Sequence, residues 1–105
     1  MKGSPKVLEL LNEILTDEIL GIAQYEAQHY QAEETLALEK LGEIFHEASL
    51  KEMDHMEKVS ERIHFLEGTP VMKISGEIAE VGDARSMVEA DIRLEYNAIK
   101  KLNEF

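Results

Sequence analysis

The stretch LGEIFHEASLKEMDHMEKV, from Leu41 to Val59, decides how this chain folds. At helical spacing, Leu38, Leu41, Phe45 and Ala48 lead to Glu52 and His55 and then to Val59 and Leu66, with one gap at Arg62. Steps of three and four describe the apolar seam of a long helix packed in a bundle, and two ionisable groups break that seam. A buried, unpaired carboxylate among Leu and Phe is strongly unfavourable, so Glu52 must be neutralised, paired or bound to a cation. Residues three apart on a helix project side by side, and Glu52 with His55 therefore forms one edge of a metal site.

Working outward, Ser4-Pro5 reads as a helix start, with serine at the cap and proline where a missing N–H costs nothing. Leu8, Leu11, Leu15, Glu18, Ile22, Tyr25, His29 and Ala32 again advance by three and four, and Glu18 interrupts this stripe as Glu52 interrupts the other. No turn signal precedes Glu34-Thr35, so the first helix is predicted over about 5–34, roughly thirty residues or ~45 Å long. A short turn near Thr35 folds the second helix, about 37–67, back antiparallel and brings Glu18 near Glu52. Gly68-Thr69-Pro70 stops it. Residues 68–82 carry no stripe, and about fifteen extended residues reach ~50 Å, enough to travel the length of a long helix. This crossover predicts a third helix over about 83–105, capped by Asp83 and parallel to the second. Its seam reads Ala84, Val88, Asp91 or Ile92, Glu95, Ile99 and Leu102, so a third carboxylate, Glu95, falls in a core stripe. The expectation is a single all-α domain, residues 1–105, built as a bundle.

Composition bounds the partners. Eleven basic against twenty-two acidic residues give a net charge of −11, which repels nucleic acid and anionic membranes and attracts cations. The 105 residues contain no cysteine, no signal-peptide core and no run long enough to span a membrane, which fits the cytoplasm. A chain this short, made of long helices, buries a modest core and needs a partner surface. Each chemical signal has a plain alternative: a carboxylate at a stripe edge with its head in water, or a hydrogen-bonded structural histidine at His55. The conjunction decides, because Glu18, Glu52 with His55, and Glu95 all sit mid-helix on apolar seams. Oxygen donors with a minority of imidazole suit divalent iron or manganese better than zinc.

The motifs Met1-Lys-Gly, Leu15-x-x-Glu18-x-x-x-Ile22-x-Gln24-Tyr25, Glu52-Met53-x-His55, Glu61-Arg62-Ile63-x-Phe65-Leu66-Glu67-Gly68-x-Pro70 and Asp91-x-x-Leu94-Glu95 resemble those of the bacterioferritins in order and spacing. The resemblance covers the whole chain. It implies a ferritin-like bundle and a di-iron ferroxidase centre that oxidises Fe(II) with oxygen or peroxide, with ferric mineral stored in a hollow shell. It also implies roles: Glu18 and His55 as terminal ligands, Glu52 and Glu95 as carboxylates at or bridging the metals, and Tyr25 as a hydrogen-bonding and redox partner. Met53 matches the methionine that ligates haem b from two subunits at a two-fold interface.

Two departures qualify the match. Residues 26–50 fit poorly and run one residue long, so His46 and Glu47 receive no role in iron uptake, and His29 and His64 receive none either. The family's fourth helix, with its second Glu-x-x-His pair, has no counterpart in these 105 residues. Two chains about a two-fold axis would supply Glu18, Glu52 and His55 twice, as the encapsulated ferritins resemble, leaving Glu95 aside. The expectation is thus a homo-oligomer, at least a dimer, or co-assembly with a full-length bacterioferritin. Three readings stand: a ferroxidase, a haem- or iron-binding subunit without turnover, and a metal-free helical interaction module.

Overall fold

The computed structural model describes residues 2–74, 76–78 and 81–104, the last stretch without the side chains of Leu102 and Glu104. Among these residues there are three α-helices and no strand: α1 Pro5–Tyr30, α2 Glu39–Phe65 and α3 Ala84–Glu104. The fold is the all-helical, ferritin-like arrangement the sequence predicts. Ser4 caps α1 by accepting the Val7 N–H at 3.2 Å, and Pro5 occupies the first turn. Asp83 caps α3 in the same way, accepting the Ser86 N–H at 2.8 Å, and that hydrogen bond holds its carboxyl below the usual carboxylate range.

The turns differ from expectation in a way that has a physical cause. Beyond Tyr30, α1 loosens into a π-helical turn, Gln31–Thr35, and the chain reverses through Ala37 at φ 55°. At the end of α2 the left-handed residue is Glu67, φ 61°, rather than the glycine beside it. The Glu67 N–H reaches the His64 carbonyl at 3.0 Å and the Gly68 N–H reaches the Ile63 carbonyl at 2.9 Å, the two bonds of a Schellman ending. Gly68 serves close approach instead: a Cβ there would stand 3.2 Å from both Leu8 Cδ1 and Ile63 Cγ2.

Five long-range contacts fix the directions of the helices. The Gly3 N–H bonds the Leu66 carbonyl at 2.9 Å and His29 meets Gly42 at the other end, so α2 lies antiparallel to α1. Asp17 pairs with Lys101, Gln24 with Asp91 and Gln31 with the Gly82 carbonyl, so α3 is also antiparallel to α1 and hence parallel to α2. The molecule measures 49 × 21 × 19 Å. Tyr25, Ala32, Phe45 and Met87 form the buried centre at the end near the α1–α2 turn, with Leu36, Leu41, Ala48, Val81 and Leu94 packed around it. No described helix is long and apolar enough to cross a membrane.

The predicted seams hold for α1 and most of α2 but on α3 only at Ala84 and at Asp91, the alternative to Ile92. On α2, Phe45 and Leu66 are buried, Ile63 and Ser49 join them with no exposed surface, and Leu38 and His55 are exposed. On α3 the inward face is Met87, Ala90, Asp91, Leu94 and Ala98, whereas Val88, Ile92 and Ile99 are exposed and Glu95 sits at a surface edge. The reason is polar. Gln24 Nε2 donates to Asp91 Oδ1 at 2.9 Å, Gln28 Nε2 to the Met87 carbonyl at 3.3 Å and Gln31 Nε2 to the Gly82 carbonyl at 3.1 Å, and this amide ladder sets which side of α3 meets α1. The side chain of Leu102, expected in the α3 seam, and Phe105, expected to end that helix, lie outside the described residues, as does Met1 of the first motif.

Candidate metal centre

Glu18 on α1 and Glu52 and His55 on α2 meet across the helix pair, each able to offer one ligand atom within 4.8 Å of the others. His55 Nδ1 stands 3.6 Å from Glu18 Oε2 and 3.9 Å from Glu52 Oε2. These separations exceed hydrogen-bond length, and Glu18 Oε2 is buried with no hydrogen bond at all. Burial pushes the Glu18 carboxyl above its ordinary range; His55 pulls it back in part, and the charge on Glu95 adds to the rise. An acceptor-only oxygen in this state is stabilised by a proton or by a cation.

Local sequence explains the geometry. The three-residue spacing of Glu52 and His55 puts both on one side of α2. Gly21, one turn along α1 from Glu18, is buried opposite Glu52, where even an added Cβ would stand only 3.4 Å from Glu52 Cγ. That is ordinary van der Waals contact, so the Glu52 side chain packs close against this face of α1. The two carboxylates are 17% and 14% exposed, the His55 ring 54%.

All three residues line an open groove of about 760 Å³ whose other walls include Ile14 and Leu20 of α1, Lys58 and Val59 of α2, and Leu94, Glu95, Ala98, Ile99 and Lys101 of α3. Glu95 stands outside the three-ligand group; its Oε1 accepts the Tyr25 hydroxyl at 2.6 Å. Burial first, and then this hydrogen bond, push the Tyr25 phenol up, so it is a proton donor under all ordinary conditions. Burial likewise raises the Asp91 carboxyl, against the opposing hydrogen bonds of Gln24 and Gln28. Met53, on the same turn of α2 as Glu52, is 37% exposed. The Gln24–Gln28–Gln31 ladder was missed in the sequence, although its spacing of four and three is as regular as that of any apolar stripe.

Donors of this kind, two carboxylate oxygens and one imidazole nitrogen beside an orphaned buried oxygen, suit a divalent first-row ion. They make up less than a full coordination shell, and the open groove is the side on which further ligands would find room.

Comparison with known proteins agrees with the fold. The sequence profile described as the ferritin-like domain matches residues 8–105. A bacterioferritin from Rhodobacter capsulatus is 36% identical over 104 residues, covering 99% of this chain and 64% of that protein. Those of Mycobacterium leprae (strain TN) and Brucella melitensis are 36% and 35% identical, with 97% and 93% of this chain and 64% and 60% of theirs covered. The chain therefore spans a little under two thirds of these relatives. With the profile running through all three helices, the chain belongs to the ferritin-like domain family.

Proposed function

We propose that this protein binds iron, oxidises Fe(II) and stores iron as bacterioferritins do, in the cytoplasm, at a di-iron centre completed by a second copy of the chain. The observation that carries this is the buried, hydrogen-bond-free Glu18 Oε2 beside Glu52 and His55 at the mouth of an open groove. Two copies about a two-fold axis bring four carboxylates and two imidazoles, whose four negative charges match two divalent ions. Glu18, Glu52 and His55 of each copy would hold the ions. Glu95 is held by the Tyr25 hydroxyl, poised as an outer partner or a further ligand. The Fe(II) substrate ions supply one electron each to oxygen or peroxide. The chain's part is to hold them close together, neutralise their charge and keep the Tyr25 proton at Glu95.

The second copy is supported by the outer face of α3, where Val88, Ile92, Tyr96 and Ile99 are all exposed at helical spacing. Anaerobic Fe(II) titration followed by exposure to air, with native mass measured in parallel, tests the reading. The expected result is a dimer or larger assembly that takes up about one Fe(II) per chain at this centre and oxidises it faster than protein-free solution. Uptake of two irons by a monomer would overturn the centre shared between copies. Mixed shells on incubation with a full-length bacterioferritin would make the partner that protein, and failure to bind iron would leave a helical interaction module. The exposed thioether of Met53 supports haem b held between two chains, and Met53→Leu should remove its Soret band while iron oxidation continues.

A further inference from the structure

A second cluster lies at the end of the α1–α2 pair nearest the turn. Glu26 and His29, three apart on α1, face His46 on α2, and each can offer one ligand atom within 4.8 Å of the others. His46 Nδ1 is 2.7 Å from Glu26 Oε1. The two imidazole rings stand 4.8 Å apart, centroid to centroid. Each of the three residues is half-buried, with His29 the most enclosed.

The hydrogen bonds of His29 fix its chemistry. Its Nδ1 is 2.9 Å from the Gly42 carbonyl oxygen, which can only accept, so Nδ1 carries a hydrogen. Its Nε2 is 3.2 Å from Glu33 Oε2, also an acceptor. With Nδ1 turned to the carbonyl, Nε2 is the nitrogen that presents its lone pair to an ion. A ring whose far nitrogen is anchored on a backbone carbonyl is oriented as metal-binding histidines are. The backbone around the cluster is specialised as well. Glu33 belongs to the π-helical turn, a feature frequent at functional sites. It lies across Gly42, where an added Cβ would run into Glu33 Cγ and stand 3.1 Å from its Cδ.

We infer that Glu26, His29 and His46 form a mononuclear site for a divalent transition metal, with Glu33, outside that three-residue group but 3.2 Å from His29 Nε2, turning in as a fourth donor. The ion would sit among the ring nitrogens and carboxylate oxygens that now face one another, His46 with Glu26 at 2.7 Å and His29 with Glu33 at 3.2 Å. Two imidazole nitrogens and two carboxylate oxygens suit Zn(II) or Fe(II), in contrast to the oxygen-rich set at Glu18. Eleven residues separate Glu18 from His29, about 16 Å along α1, so the two sites are distinct. All four donors come from one chain, and occupancy therefore does not depend on pairing with a second copy. The inference does not rest on the proposed iron oxidation.

Zn(II) titration by calorimetry, on wild type, Glu52→Gln and His46→Ala, tests it. Glu52→Gln should keep one class of site, at about one Zn(II) per chain, and His46→Ala should lose that class while retaining the other and its Fe(II) oxidation. Loss of all binding in Glu52→Gln would overturn the inference, as would unchanged binding in His46→Ala. Should His46→Ala fail to fold, X-ray absorption on Glu52→Gln loaded with one equivalent of Zn(II) decides. Two imidazoles per zinc are expected, and one or none sinks the site.

Discussion

Two groups of carboxylate and imidazole occupy the same pair of helices, and they differ in how far one chain satisfies them. At mid-helix, Glu18 and Glu52 share the single ring of His55 at 3.6 and 3.9 Å, and one Glu18 oxygen has no hydrogen bond. Near the turn, Glu26 and Glu33 each have a ring of their own, at 2.7 and 3.2 Å. The first group opens on a groove of about 760 Å³ beside an exposed apolar face of α3, and the second closes within the α1–α2 pair. A partly buried carboxylate oxygen without a hydrogen bond, next to an uncovered surface, is a place for a further partner, whereas the paired carboxylates near the turn already have one each. On the proposed readings, metal binding depends on assembly at the first group and not at the second.

The largest effect should come from Glu52→Gln. It removes one of two like charges crowded in a poorly solvated seam, so the metal-free protein should become more stable, by about 1 kcal/mol or ~4 °C in melting temperature. Fe(II) oxidation should fall to the spontaneous rate, and the variant's melting temperature should no longer rise with Fe(II). Metal binding only the folded state should raise the wild-type melting temperature. Thermal melts of both proteins with and without metal measure this. A wild type indifferent to metal together with a variant less stable than it would show that Glu52 is paired for structure, and the contrast between the two groups would collapse.

A smaller effect concerns pH. The folded state raises the Glu18 carboxyl above its ordinary 4.5, so the folded protein holds that proton more tightly than the unfolded chain. Stability from this group is therefore lost as pH rises from 4.5 through the raised value, and is regained on acidification. Asp91 acts with the same sign, and Asp54 and Asp83, whose carboxyls are lowered, act with the opposite one. The group is isolated by comparing urea unfolding of metal-free wild type and Glu18→Gln across this range. Wild type should lose ground to the variant as pH rises and then stay level, and saturating Zn(II) should remove the trend. A difference that does not change with pH would mean that Glu18 is already satisfied in the single chain.

Much of the first group was legible because it broke a rule. Glu18, Glu52 and His55 stood out as charges in apolar stripes, and the short turn at Thr35 was enough to bring them together. The second group broke nothing. Glu26 and His46 lie beside the stripes rather than in them, so reading apolar periodicity passed over both, and His29 was noted only as a stripe member. The face of α3 was misjudged for a related reason. Its bulky residues Val88, Ile92 and Ile99 suggested the contact with α1, but glutamine amides on α1 selected the other side, and the apolar face was left outward. Periodicity reports that a helix has an apolar side, not which neighbour covers it.

The smallest effects should separate the two groups through the glycine beneath each. Alanine in place of a helical glycine favours the helix by about 1 kcal/mol when nothing opposes it. At Gly21 the new Cβ would stand 3.4 Å from Glu52 Cγ and 3.5 Å from its Cδ, ordinary van der Waals contact. Gly21→Ala should therefore raise stability by up to ~1 kcal/mol and change Fe(II) oxidation less than about twofold. At Gly42 the new Cβ would collide with Glu33 Cγ and stand 3.3 Å from the His29 carbonyl oxygen, which belongs to backbone and cannot swing away. Overpacking there costs about 1–3 kcal/mol, so Gly42→Ala should lose roughly 1 kcal/mol net despite the gain in helix propensity. It should also weaken Zn(II) binding at His29 and His46 by about tenfold or more, because Glu33 is displaced and the carbonyl that orients His29 moves. Urea unfolding and zinc titration of the two variants give the answer. Equal responses at the two positions would mean that the glycines serve helix approach alone, and that Gly42 plays no part in shaping the second group.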